Sequence, residues 1–278
     1  VELYINGEQQ PLHAGENSAT AQTELPTFSL QEAYDFIIST PVENITFILE
    51  AARLNSALAA EGKSKKYGLN INGTFSEAVK NGLLSNDLMS EVIINTVAAS
   101  DARMGGAPVV TMSNFGSGNQ GIAATMPVVT VAEHLNADQE TLARALALSH
   151  LTAISIHSRY TRLSALCAAS TAAMGAAAGM AWLFTRNIET INTAIINMIS
   201  DVTGMICDGA SNSCAMKVSS VVSSAFKAVL MAMQNSCAGA NDGIVCADVE
   251  QTINNLCRLV IKPMTLTDKE IISIMVAK

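Results

Sequence analysis

Chemistry-bearing residues in this 278-residue chain gather in three stretches. The first is DVTGMICDGASNSCAMK, 201–217, in which Cys207 and Cys214 bracket a short polar loop between two apolar segments. Thiolates that converge at helix ends are suitable ligands for a soft metal or an iron–sulfur cluster. The seven-residue separation is not a zinc-ribbon spacing, and cysteines packed as small core hydrophobes account for the same pattern. The second is Cys167 in LSALCAASTAAMGAAAG, 163–179, where small residues let backbones approach closely. That leaves room for a compact inorganic group or buries a structural thiol. The third is SNFGSGNQG, 113–121, where Ser117, Gly118, Asn119, Gln120 and Gly121 stand just ahead of a helical pattern. Backbone N–H groups there suit an anion such as a carboxylate, although glycines at such places also serve packing or a tight turn. No Gly-Lys-Ser/Thr follows, so the stretch is not a P-loop.

Other candidates are weaker. Cys237, Cys246 and Cys257 share no motif and are expected to pack or lie at the surface. His134 and His150 fall on helical segments and His157 lies near Arg159, each isolated; no Ser-His-Asp order, His-Glu-x-x-His or nucleophile elbow occurs. Lys217 either pairs a substrate carboxylate or solvates a helix face, and the second reading is preferred.

The elements that must position these residues are mainly α-helical. Ser29 with Glu32 makes a capping-box signature for a helix to about residue 39, Pro41 opens another to about 60, and 62–73 is a loop. Thr74 with Glu77 repeats the capping box, and helices follow over 87–99, 122–134, 138–157, 163–184, 188–205, 214–235, 246–261 and 266–277. The stretch 100–121 holds five glycines and reads as an ordered loop or a broken helix pair. Val1, Leu3 and Ile5 alternate before Asn6-Gly7, a short N-terminal strand and hairpin turn. Residues 11–26 read as a linker, so 1–26 is a strand remnant and linker from an upstream domain and 27–278 a helical catalytic domain.

A formal charge of −8, with 16 Lys and Arg against 24 Asp and Glu, leaves no basic surface for nucleic acid or anionic membrane. A small-molecule ligand or a protein partner fits better. The uncharged run 163–184 is long enough to span a bilayer, but its Ala, Ser, Thr and Gly content favours a buried central helix over a membrane span. The first residue is Val1 and no signal-peptide pattern follows, which points to a piece of a longer, cytoplasmic chain with reduced thiols. A Met- and Ala-rich helical surface leaves a homodimer plausible.

Together, SDARMGGA, SNFGSGNQGI, LSALCAASTAAMGAAAG and GMICDGASNSCAMK resemble the L-cysteine desulfidase group, itself related to the iron–sulfur L-serine dehydratase alpha chain; the resemblance covers most of the chain after residue 40. It implies a 4Fe-4S cluster held by Cys167, Cys207 and Cys214, with one iron open to an amino-acid substrate. It also implies α,β-elimination on L-cysteine to hydrogen sulfide, ammonia and pyruvate, with the carboxylate fixed by residues 117–121. The base is left unassigned. Members of the group begin with an N-terminal region carrying a Gly-Cys-Thr-Glu-Pro motif, so the resemblance makes this chain the C-terminal portion, partnered by that missing region. An L-serine or threonine dehydratase with the same cluster is the alternative enzyme. A non-catalytic helical structural or regulatory protein is the alternative of another class.

Overall fold

The computed structural model describes residues 3–5, 8–10, 27–160 and 163–278. Leu3–Ile5 (β1) and Glu8–Gln10 (β2) pair antiparallel, with Leu3 opposite Gln10. The Asn6-Gly7 turn and the linker expected over 11–26 lie outside the described residues. The rest is α-helical: α1 Leu30–Ser39, α2 Leu49–Ser64, α3 Ile71–Lys80, α4 Leu88–Met104, α5 Gly118–His134, α6 Gln139–Ser158, α7 Ala168–Thr185, α8 Ile188–Val202, α9 Cys214–Met233, α10 Val249–Ile261 and α11 Met264–Val276. The fold is mainly α, as the periodicity predicts.

Local signals account for many of the helix starts. The Ser29 hydroxyl accepts the Glu32 N–H while the Glu32 carboxylate accepts the Ser29 N–H, the reciprocal capping box. Asp87, Asp138 and Asp248 cap α4, α6 and α10 through their carboxylates.

Several boundaries differ from the sequence reading. Pro41 leads not into one helix but into two short 3-10 turns, Val42–Asn44 and Thr46–Ile48, before α2; the β-branched Val42, Ile45 and Thr46 weaken an α-helix there. The 62–73 loop shrinks to 65–70, because α2 continues to Ser64 and α3 begins at Ile71. The Thr74–Glu77 capping box is not made: Thr74 lies inside α3 with its hydroxyl on the Asn70 carbonyl, and the helix is capped from α4, where Asp101 accepts the Asn72 N–H at 2.9 Å. Residues 100–104 belong to α4 and 118–121 to the first turn of α5, leaving 105–117 as the loop. The run 163–184 becomes helical only from Ala168.

α7 is the axis of the molecule, packed against α5, α6, α8 and α9, and every residue from Ala169 to Leu183 is buried. Such enclosure requires close neighbours: a β-carbon on Gly175 would overlap the Ser149 carbonyl of α6, and one on Gly179 would meet Val128 of α5. The apolar run first weighed as a membrane span is thus a central packing helix. Among the described residues one helix, α9, is long and apolar enough to cross a membrane, and just over half of that stretch (56%) is buried against the rest of the fold.

Candidate functional site

Helices α4 to α9 each pack on the next in sequence, and the contacts between neighbours run antiparallel, as Asn95 with Thr130 and Met104 with Asn119 show for α4 and α5, so they alternate in direction. The loops after α4, α6 and α8 therefore open at the same end of the bundle. All three chemistry-bearing stretches lie in these loops or the helix turns beside them. Contacts tie them together: His157 at the end of α6 reaches Gln120 in the first turn of α5 at 2.8 Å. Leu166 and Ile206 form an antiparallel bridge flanked by Cys207 N–H to the Ala165 carbonyl, 2.7 Å, and Cys167 N–H to the Met205 carbonyl, 2.9 Å. The N-termini of α5, α7 and α9 all face this end, an electrostatic setting for anionic groups.

At α5, Asn114 and Ser117 exchange backbone hydrogen bonds of 3.1 and 2.9 Å across Phe115 and Gly116, whose φ values are 48° and 82°. Positive φ at both central residues is the type I′ geometry, natural for Gly116 and strained for a phenylalanine. The Ser117 hydroxyl accepts the Gln120 N–H and so caps the helix. Gly118 has no side chain because the Arg103 guanidinium lies where a β-carbon would sit. Arg103 forms no ion pair among the described residues and contacts the Met104 sulfur at 2.9 Å. Asn119 accepts the Ser100 hydroxyl at 3.2 Å and its amide nitrogen lies 3.3 Å from the Met104 sulfur.

The five residues proposed from sequence for substrate binding therefore divide. Gly118 and Asn119 face the Arg103 side. Ser117, Gln120 and Gly121 are committed internally: the Ser117 hydroxyl caps the helix, the Gln120 amide donates to Asn114 and accepts from His157, and Gly121 is closed over by the Met112 carbonyl.

Behind this turn lies a buried polar network in which the histidines, isolated in sequence, take part. The Asn114 amide nitrogen donates to His150 Nδ1 at 3.0 Å, so His150 carries its proton on Nε2 and donates to the Thr125 hydroxyl at 3.0 Å. Thr125 in turn donates to the Gly121 carbonyl, and Asn55 donates to Thr125. Burial lowers the His150 pKa to about 4 and keeps it neutral. His157 is fixed in the other tautomer, Nδ1–H on Gln120 Oε1, and is stacked between Phe115 and Tyr160 at 4.3 and 4.6 Å. The Tyr160 hydroxyl reaches Thr171 on α7 at 2.6 Å, so one chain of contacts runs from the glycine turn to the cysteine helix.

All three predicted cysteines are free thiols at this end. Cys167 is the N-cap of α7; burial pushes its thiol pKa up and Cys207 adds to that, while the Ala169 and Ser170 N–H groups and Lys217 favour the thiolate. Cys214 opens α9, its sulfur facing the Ser211 N–H and the Gly209 carbonyl. Lys217 does not solvate a helix face: its side chain is only 18% exposed and its ammonium is paired with Asp208. Burial pushes that ammonium toward neutrality, but Asp208, Cys167 and Cys214 outweigh it. Cys257 is buried against the Ile156 carbonyl, Cys246 is partly buried and Cys237 exposed, as the packing or surface reading expects. Among the described residues no three His, Cys, Asp or Glu groups are close enough to hold a single metal ion. A cluster spreads its ligands over a wider triangle than one ion does. Two soft thiols at helix N-termini, a third in the loop between α8 and α9 and a half-buried lysine suit it in kind.

Arg103 and Tyr160 were not singled out from sequence, and His157 was named there only as an isolated histidine near Arg159. Arg103 was legible in one respect, since the helical period of 87–99 continues through it.

A family model described as serine dehydratase alpha chain matches residues 18–273. A UPF0597 protein of Klebsiella pneumoniae is 87% identical over 278 residues, all of this chain and 65% of the relative. UPF0597 protein YhaM of Escherichia coli K12 is 57% identical over 270 residues, 97% of this chain and 62% of the relative. The chain thus spans less than two thirds of the length of these relatives. No solved structure matches it.

Proposed function

The chain belongs to the serine dehydratase alpha chain family, and from that premise we propose that it is the helical portion of an iron–sulfur-dependent lyase acting on L-cysteine by α,β-elimination, with hydrogen sulfide, ammonia and pyruvate as products. The observation that carries this reading is that Cys167, Cys207 and Cys214 share one end of the bundle with the Arg103-lined N-terminus of α5. A 4Fe-4S cluster on the three thiolates would supply a Lewis acid for the departing β-substituent. The chain's own groups do the rest. Arg103 and the Gly118 and Asn119 N–H groups take the substrate carboxylate, a bidentate cation beside a helix N-terminus. The N-terminus of α7 and Lys217 partly offset the burial that raises the Cys167 thiol pKa.

The test is anaerobic iron–sulfur reconstitution of this chain and of a version extended to the length of its relatives, reading iron content, thiolate-to-iron absorbance and sulfide release from L-cysteine. Iron uptake that Cys207→Ala or Cys214→Ala abolishes, with sulfide release from the extended version, is the expected result. Failure of both versions to bind iron removes the lyase reading and leaves the non-catalytic alternative. Faster pyruvate formation from L-serine than from L-cysteine instead assigns a serine dehydratase.

Arg103→Met is expected to raise KM for the amino acid about 10- to 100-fold, the range for losing a charge-assisted pair, with iron content unchanged. An unaltered KM would take Arg103 out of the carboxylate site.

A further inference from the structure

A cluster needs more than its ligands. Groups around the ligating thiolates orient them and set the charge and the hydrogen bonding at the sulfurs. We propose that Ser170 and Lys217 do this here, the hydroxyl from the first turn of α7 and the ammonium from the start of α9. The assignment rests on the lyase reading above, and on three features of the structure.

The first is placement. α7 and α9 pack on each other and start at the same end of the bundle. Cys167 caps α7 and Ser170 follows three residues on; Cys214 opens α9 and Lys217 follows three residues on. Residues at that spacing are neighbours on one face of a helix. Each helix therefore brings a thiol and, one turn behind it, a group able to donate to sulfur. The Ser170 N–H closes its turn on the Cys167 carbonyl at 2.9 Å, which holds the serine against the cysteine.

The second is the Ser170 hydroxyl. It is wholly buried and has no hydrogen-bond partner among the described residues. Hydroxyls elsewhere in these helices return to the carbonyl four residues back, as those of Thr125, Thr130 and Thr185 do; that of Ser170 does not. A hydroxyl taken out of water and given no acceptor destabilises the folded chain, so its presence calls for a use outside the polypeptide. The sulfur atoms of a cluster on Cys167 are acceptors within reach of the same turn.

The third is charge. A 4Fe-4S core on three thiolates carries a net negative charge, and the carboxylate of an amino acid adds to it. Lys217 is the cation at hand. Its side chain is 18% exposed, whereas that of Asp208, its partner, is 54% exposed. Water screens the carboxylate more than the ammonium, so the pair presents its positive end to the interior. Both Cys167 and Cys214 interact with that ammonium. Asp208 follows Cys207 in the chain, so the same ion pair ties α9 to the loop that carries the third thiol.

The experiment compares wild type with Ser170→Ala, Lys217→Met, Lys217→Arg and Thr152→Val. Two quantities are read: the rate at which an iron chelator removes the thiolate-to-iron absorbance from the reconstituted, extended protein, and the thermal midpoint of the cluster-free chain. Ser170→Ala is expected to raise that midpoint by about 2–4 °C, since it deletes a buried hydroxyl without a partner. It is nevertheless expected to speed cluster loss by about 10- to 100-fold, the range for groups that support metal ligands. A serine that only packs would do the first and not the second. Thr152 supplies the comparison: its hydroxyl, within α6, is likewise buried and unpartnered among the described residues, so Thr152→Val should raise the midpoint and leave cluster loss unchanged. Lys217→Met is expected to speed loss over the same range, and Lys217→Arg, which keeps the charge, to leave the rate near that of wild type.

If wild type holds its cluster and neither Ser170→Ala nor Lys217→Met sheds it faster, the assignment fails while the lyase reading stands. One unchanged variant removes its own residue. A lowered midpoint for Ser170→Ala would show the hydroxyl bonded within the fold and remove Ser170 as well. Loss from Lys217→Arg as fast as from Lys217→Met would put size above charge and overturn the role given to the ammonium. Should Lys217→Met not fold, Ser170→Ala and Lys217→Arg decide. If wild type takes up no iron, the lyase reading falls and the assignment with it.

Discussion

Replacing Gly175 by valine is expected to lower the stability of the folded chain by about 3 kcal/mol, the upper end of what overpacking costs, and to drop the thermal midpoint by roughly 6–12 °C for a domain of this size. The reason lies in what the new side chain would meet. Its β-carbon falls onto the backbone carbonyl oxygen of Ser149, with the Ala153 nitrogen and β-carbon at 3.2 and 3.1 Å behind it. A backbone oxygen inside α6 cannot rotate away as a side chain could. α7 cannot retreat either, because α5, α8 and α9 close its other sides. The two helices would have to separate along their whole contact, and the small-residue interface that replaces large side chains in this core would open. Gly204 supplies the control: an added β-carbon there meets nothing within 4 Å, so Gly204→Ala should leave the midpoint nearly unchanged. Equal midpoints for the two variants would mean that α6 and α7 do not approach as closely as the fold requires.

That interface also marks how far sequence reasoning reaches. The helices of the second half were legible from spacing and composition, because an Ala-, Ser- and Gly-rich helix buried all round needs no amphipathic stripe to be recognised as central. Boundaries set by distant partners were not. The N-terminus of α3 is an example: Thr74 and Glu77 offer a local capping box, yet the helix starts four residues earlier because the Asp101 carboxylate caps it from α4. A window of a few residues contains no trace of Asp101's position. The same limit hid the true start of α7, where the bridge between Leu166 and Ile206 holds 165–167 extended.

The site was legible in its parts and not in its assembly. The cysteines and the glycine turn carry their chemistry in their residue types, but what joins them is parity: they sit after α4, α6 and α8, every second connection of an alternating bundle, and so share one end. Counting helices would have shown it. Arg103 was overlooked because 100–121 was read as an ordered loop or a broken helix pair; once α4 runs to Met104, Arg103 lies beside the turn that follows. His157 could not be found by spacing, since its partners Gln120 and Phe115 lie some forty residues away and are chosen by packing.

The buried network behind the turn has a measurable pH signature centred on His150. In the folded chain burial lowers its pKa to about 4, against an ordinary value of 6.5. Its neighbours in the network, Asn55, Asn114, Thr125 and Gln120, are all neutral, and the Asn114 amide points a donor at Nδ1, so a second proton there would face a donor and no counter-charge. Between pH 6.5 and 4 the unfolded chain therefore binds a proton that the folded chain refuses. Since stability rises with pH wherever the unfolded state binds more protons, it must fall on acidification through this window, by roughly 3 kcal/mol over the two and a half units. Asp101 acts in the opposite sense: burial raises its pKa, so its contribution grows as pH falls. The capping carboxylates, such as Glu32 and Asp138, have lowered values, so their contributions begin to fall off as pH drops through the ordinary values of 4.5 and 3.8, alike in wild type and in any His150 variant. The His150 effect is isolated by comparison with His150→Gln in urea unfolding at pH 7, 5.5 and 4.5. The variant should be less stable than wild type at pH 7, where it loses the Thr125 and Asn114 hydrogen bonds, and the gap should narrow steadily toward pH 4.5. A gap that stays constant with pH would show that His150 takes up its proton in the folded chain as readily as in the unfolded one, and that the network around it is open to water.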